Sequence, residues 1–187
     1  MTTVLKIKLS DVSQQFLQEL KQKFGKTAEV ELRIQDASAQ AGLLSEAQFW
    51  TVIDHLDWSA KNAKDVLSPA VIFLAAMPVA NIYLFADKLS EKLYQLDTKQ
   101  HAFVFATAES DGFLSSDEFL YTRCAVVAEG KAYFEKVVAK AADMPNDISF
   151  EALLRLAELA FEQKTGTTFN YQPTYPYETQ SNRLGWN

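Results

Sequence analysis

From Leu114 to Tyr133 the chain reads LSSDEFLYTRCAVVAEGKAY, and this stretch constrains the fold most because it reads as a capped helix carrying an arginine on its apolar face. Ser115 and Glu118 stand at the spacing at which a serine hydroxyl and a glutamate carboxylate satisfy each other's free backbone N–H groups at a helix start. Leu114 and Phe119 occupy the two staple positions beside them. The same grammar occurs at Ser45 and Gln48, flanked by Leu44 and Phe49, after which Phe49, Val52, Ile53 and Leu56 continue at helical spacing. Arg123 lies three, four and seven residues from Val126, Phe119 and Val127, and Gly130. Its stem must therefore run along the apolar stripe, and a buried guanidinium requires a carboxylate or a bound anion. Asp54, Asp87, Asp97 and Asp117 are the available structural partners. A functional anion site would instead take Arg123 and Asp117, with Trp50, Tyr121 and Tyr133 as walls.

Elsewhere the pattern predicts an α+β chain in which a small strand-helix-strand unit precedes a mainly α-helical domain. Residues 4–9 and 28–34 alternate apolar with charged positions and read as strands. Between them Val12, Phe16, Leu17, Leu20 and Phe24 repeat as a helix, capped at Ser10 or Asp11 and ended by Gly25. Residues 1–36 form this unit, the small-residue segment 37–42 is a linker, and 43–187 form the helical domain. Pro69, capped by Ser68, and Pro78 suit first-turn positions. From Ile82, the residues Phe85, Ala86, Leu89, Leu93 and Leu96 hold one stripe, and a further helix spans about 150–165 with Gly166 behind it. The aromatic tail from Thr167 is expected to run extended across the helical surface. Residues 101–108 fit a strand or a helix.

The quoted elements resemble the bacterial DUF4240 family, a domain of unknown function. The resemblance runs from about Glu46 to about Pro145. It is carried by EAQFWTVID, by SPAVIFLAAMP with the helix ending KLYQLD, and by the pattern Asp117, Phe119, Arg123, Val126, Val127 and Gly130 within SSDEFLYTRCAVVAEGKAYFEKVV. It implies a bacterial protein and a helix at 101–108, and it transfers no catalytic residue.

The chemistry is mainly one of exclusions. A net charge of −6 without runs of Lys and Arg is unsuited to tracking phosphates, so nucleic-acid binding is not expected. No stretch of ~20 apolar residues is present to span a bilayer, and the N-terminus lacks a signal-peptide core. With the single Cys124 no intrachain disulfide forms, and the cytoplasm is the expected compartment. His55 and His101 have no partner at metal-ligand spacing, and neither a phosphate loop nor a nucleophile elbow occurs. Cys124, mid-helix among apolar residues, is expected to be inert.

Glu109, Asp111, Gly112, Ser115 and Glu118 mimic a calcium loop, but Thr107 replaces the opening carboxylate, so no metal and no cofactor are expected. At 187 residues, 48% of them apolar, the chain can bury one substantial core with a small appendage. The expected function is a non-enzymatic protein-interaction module of a regulatory or immunity-like type. Its expected partner is another protein or a second copy, the dimer being favoured by the open edge of the N-terminal strands. The alternative is an enzyme or binding protein for a small anion, using Arg123 with nearby carboxylates or His101.

Overall fold

The computed structural model describes residues 12–25, 43–108 and 114–187. The chain divides into two compact units, Met1–Ala41 and Gly42–Asn187. In the first, α1 spans Gln14–Phe24, its N-terminus capped by Ser13, whose hydroxyl accepts from the Phe16 N–H at 3.1 Å, in place of the expected cap at Ser10 or Asp11. Gly25 ends it at φ 86°. The two expected strands, 4–9 and 28–34, lie outside the described residues. Every regular element among the described residues is a helix, so the α+β class is corrected to all-α.

The second unit contains α2 (Glu46–Ile53), α3 (Ala63–Ala76), α4 (Val79–Leu96), α5 (Lys99–Ala108), α6 (Ser116–Ala128), α7 (Lys131–Ala139) and α8 (Leu156–Thr165). Two 3-10 turns, η1 (Ala141–Asp143) and η2 (Glu151–Arg155), precede α8. The start of α2 is a complete capping box: Gln48 N–H donates to Ser45 Oγ at 3.1 Å, and Ser45 N–H donates to Gln48 Oε1 at 2.8 Å. Both staple residues, Leu44 and Phe49, are buried. At α6 the Ser115 half of the expected box is present, with Glu118 N–H donating to its hydroxyl at 3.4 Å.

Pro69 is not in a first turn. It lies inside α3, which begins earlier at an Asn62 cap accepting from Asp65 N–H at 3.0 Å. A proline inside a helix costs ~3 kcal/mol, but Val66, Leu67, Ala70, Val71, Leu74 and Ala75 are all buried on this helix, and that burial outweighs the lost ladder bond.

The predicted stripe of α4 is fully realised, since Ile82, Phe85, Ala86, Leu89, Leu93 and Leu96 are all buried. The helix packs against α3, α6 and α8, and Phe85 stacks on Phe49 at 5.0 Å. Helix α5 is a helix, as the resemblance implied, and its Phe105 meets Phe119 of α6 at 5.5 Å. Gly130 turns the chain from α6 into α7 at φ 96°, a region open chiefly to glycine. Beyond Gly166 the tail has no helix, and it is held to α4 by two carboxylates. Asp87 accepts from the Tyr171 hydroxyl and the Thr174 N–H, both at 2.8 Å. Asp97, 0% exposed, accepts from Gln180 N–H at 3.1 Å, Asn182 N–H at 3.0 Å, Trp186 Nε1–H at 2.9 Å and, at 3.4 Å, the Ser181 hydroxyl.

Candidate functional site

Arg123 is 0% exposed, the largest fully buried side chain described. Helix α6 carries it inward because Phe119, Val126 and Val127 on the same face are themselves buried. Its partners differ from those expected. Among the described residues no carboxylate is within ion-pair distance. Nη1 donates to the Leu93 carbonyl at 2.9 Å, Nη2 donates to Thr179 Oγ1 at 3.1 Å, and the guanidinium carbon lies 4.8 Å from the centre of the Phe119 ring. The Thr179 hydroxyl donates its own hydrogen bond to the Ser116 carbonyl at 2.7 Å, so the arginine closes a bridge from α4 through the tail to the start of α6. Nε has no hydrogen-bond partner. Burial pushes the group below its ordinary value and the charge of Asp97 opposes that, yet a guanidinium stays cationic in proteins. Asp97 thus compensates Arg123 through space while spending its oxygens on the tail.

The other nominated residues stand apart from that guanidinium, and none of them hydrogen-bonds it. Trp50 donates its indole N–H to Glu46 Oε1 at 3.0 Å and packs on Phe49 and Phe134. Glu46 also meets Lys92 at 2.8 Å and Lys88 at 3.3 Å. Burial raises its carboxyl, but the two lysines and the indole together hold it below the ordinary range. Asp117 is exposed in the first turn of α6, where a negative charge favours the helix dipole. Tyr121 lies on α6, its phenol raised by burial and then by Glu151 and Asp117. Tyr133 lies on α7, raised by burial and then by Glu129, Asp147 and Asp143.

His101 is buried with both ring nitrogens engaged, Nε2 with the Val137 carbonyl at 3.0 Å and Nδ1 with Thr98 Oγ1 at 2.7 Å. A carbonyl can only accept, so Nε2 carries the proton and Nδ1 accepts from the threonine. Burial lowers the pKa of this imidazole, consistent with a neutral ring. The Cys124 thiol is fully enclosed and pushed up to about 12 by burial, so it offers no thiolate. Among the described residues no cluster could hold a metal ion, and no helix is long and apolar enough to cross a membrane.

Among the described residues, one concavity of about 190 Å³ lies between α4, α8 and the tail, and another, of about 420 Å³, is an apolar groove on α5 beside η1; neither is lined by Arg123. The sequence reading missed Thr179, the tail-holding role of Asp97, and the first cleft. Its only local signal was the density of aromatics after Thr167.

This chain belongs to the family described as Protein of unknown function (DUF4240), whose pattern matches residues 44–163, the helices of the second unit through most of α8. It matches no curated protein and no solved structure.

Proposed function

We propose that this protein is a non-enzymatic interaction module, regulatory or immunity-like in type and working in the cytoplasm, that docks a second copy of its own chain through the outer face of α5. The observation that carries the reading is the combination of a sequestered arginine with an apolar surface left open. Phe103 is 68% exposed on α5, in a groove it lines with Val104 and Ala141. Leu184, 85% exposed, precedes Gly185, whose carbonyl accepts from the Lys99 N–H at 2.9 Å, and Lys99 borders the same groove. An apolar knob next to an apolar groove on one surface is the self-complementary arrangement that a two-fold contact uses. The net charge of −6 on each copy opposes such an association, so it should tighten as salt screens the repulsion.

The anion-binding alternative asks for an accessible guanidinium, and Arg123 is 0% exposed and lines neither of the two concavities described above. Sedimentation equilibrium of the full chain and of Phe103→Asp tests the proposal. A concentration-dependent dimer that the variant abolishes supports it. A monomer throughout the micromolar range, or a dimer indifferent to Phe103→Asp and Leu184→Asp, refutes it.

A further inference from the structure

The cleft between α4, α8 and the tail has a composition that selects its ligand. Its outer walls are the rings of Phe169, Tyr171 and Tyr177 together with Pro173. Ala86 and Leu89 of α4, Leu154 of η2 and Ala157 of α8 make up the apolar remainder, with Ser90 and Glu158 as the polar lining groups. Among the described residues no cation lines it, so an anion would meet aromatic rings and a carboxylate, with hydroxyls as its side-chain donors. A purely apolar ligand would strip water from that carboxylate with no compensation. A primary ammonium is strongly hydrated, and beyond Glu158, the Ser90 hydroxyl and the tyrosine hydroxyls the lining is apolar, too little to replace its water. What the walls suit is a cation with an apolar skin.

We propose that this cleft is an aromatic cage for a small methylated ammonium group. Ring faces attract such a charge through their quadrupoles, most strongly where the site is partly desolvated. Tyr171 is arranged to strengthen that attraction, since its hydroxyl donates to Asp87 at 2.8 Å and a negative charge therefore sits at the hydroxyl end of the ring, enriching its π-system. Burial and this bond together push its phenol up to about 12. Glu158 supplies the countercharge; its contact with Arg155 at 3.4 Å is between two exposed side chains of one helical turn, an arrangement that binds weakly and leaves the carboxylate available. The volume of about 190 Å³ is several times one water's ~30 Å³ share and well below the ~300 Å³ at which whole-metabolite sites begin, so the cleft admits a headgroup only. That headgroup exists on free choline-like compounds and on methylated lysine side chains. The proposal stands independently of the α5 interface.

The test is an amide NMR titration of the full chain with choline, with its uncharged isostere 3,3-dimethylbutan-1-ol, and with a peptide carrying trimethyllysine. Choline is expected to shift the amides around Phe169, Tyr171 and Tyr177 saturably, with the isostere at least roughly tenfold weaker. Tyr177→Phe should retain binding. Tyr177→Leu keeps apolar bulk without a π-face and should weaken it roughly two- to thirtyfold. Glu158→Gln should weaken the cation and leave the isostere unchanged. A peptide that binds more tightly than choline identifies a protein side chain as the ligand, and the reverse order identifies a free headgroup; either keeps the ammonium site. Equal affinity for choline and its isostere, indifference to Tyr177→Leu in a variant of unchanged melting temperature, or the absence of saturable shifts at the cleft overturns it.

Discussion

Asp97→Ala is expected to release the C-terminal tail without unfolding the helical core. The carboxylate is fully buried at the end of α4 and receives three short bonds, from Gln180, Asn182 and Trp186, besides the longer one from Ser181. Hydrogen bonds to a charged acceptor contribute ~1.5–3 kcal/mol each, so the short ones sum to ~4–9 kcal/mol on paper. That sum is an upper bound, because once the donors detach into water the tail regains ~1–2 kcal/mol of backbone entropy per freed residue. The net cost is expected at about 3–4 kcal/mol, large against a typical total of ~5–15 kcal/mol.

Asp97→Asn keeps one accepting oxygen and turns an amide N–H₂ toward a backbone donor, so it should cost about half as much. Urea denaturation gives the free energies, and hydrogen exchange resolved at the Gln180 and Asn182 amides and the Trp186 indole locates the change. A loss below about 1 kcal/mol in Asp97→Ala, or undiminished protection of the Trp186 indole, would mean that the tail is held by its aromatic packing and that the reasoning about Asp97 is wrong.

Other outcomes follow from the same geometry. Arg123→Ala should cost about 3–5 kcal/mol by opening a cavity and stranding the Leu93 carbonyl, and Arg123→Met combined with Asp97→Asn should cost less than the two singles added, since each removes the charge that compensates the other; strict additivity in a denaturation cycle would sink the through-space pairing. Because the folded pKa of His101 lies below its ordinary 6.5, the unfolded chain binds the proton first, so stability is complete above pH 6.5 and falls as the pH drops below it; the melting temperature of His101→Gln should show a shallower acid decline, and identical slopes would refute the assignment. Gly185→Ala should loosen the tail, because an added Cβ would meet Asn182 Nδ2 at 2.9 Å and Thr98 Cγ2 at 3.0 Å; an unchanged melting temperature would show that the tail yields there freely. Millimolar calcium should leave the melting temperature unmoved, whereas a specific site at 100 times its dissociation constant would add ~2.7 kcal/mol; a calcium-specific rise lost in Glu118→Gln would contradict this.

The features legible from the sequence were those set by neighbours a few residues apart. The Ser45–Gln48 box, the Ser115 cap, the α4 stripe and the Gly166 stop all depend on contacts within about one or two helical turns, and each is present. The burial of Arg123 was legible on the same ground, because helical spacing alone puts it on the face of Phe119 and Val127. The partners of that arginine were not. Leu93 and Thr179 lie 30 and 56 residues away, and the Asp97–Trp186 bond spans 89.

Local pattern measures how strongly a side chain prefers to leave water. It carries no record of which polar group from a distant segment will meet it there. Pro69 makes the same point in the opposite direction, since its local preference is to start a helix and the burial of α3's stripe carries the helix through it. The neutral acceptors around the guanidinium and the aromatic cleft were decided by tertiary packing, which sums burial over many residues and overrides any preference worth only a few kcal/mol.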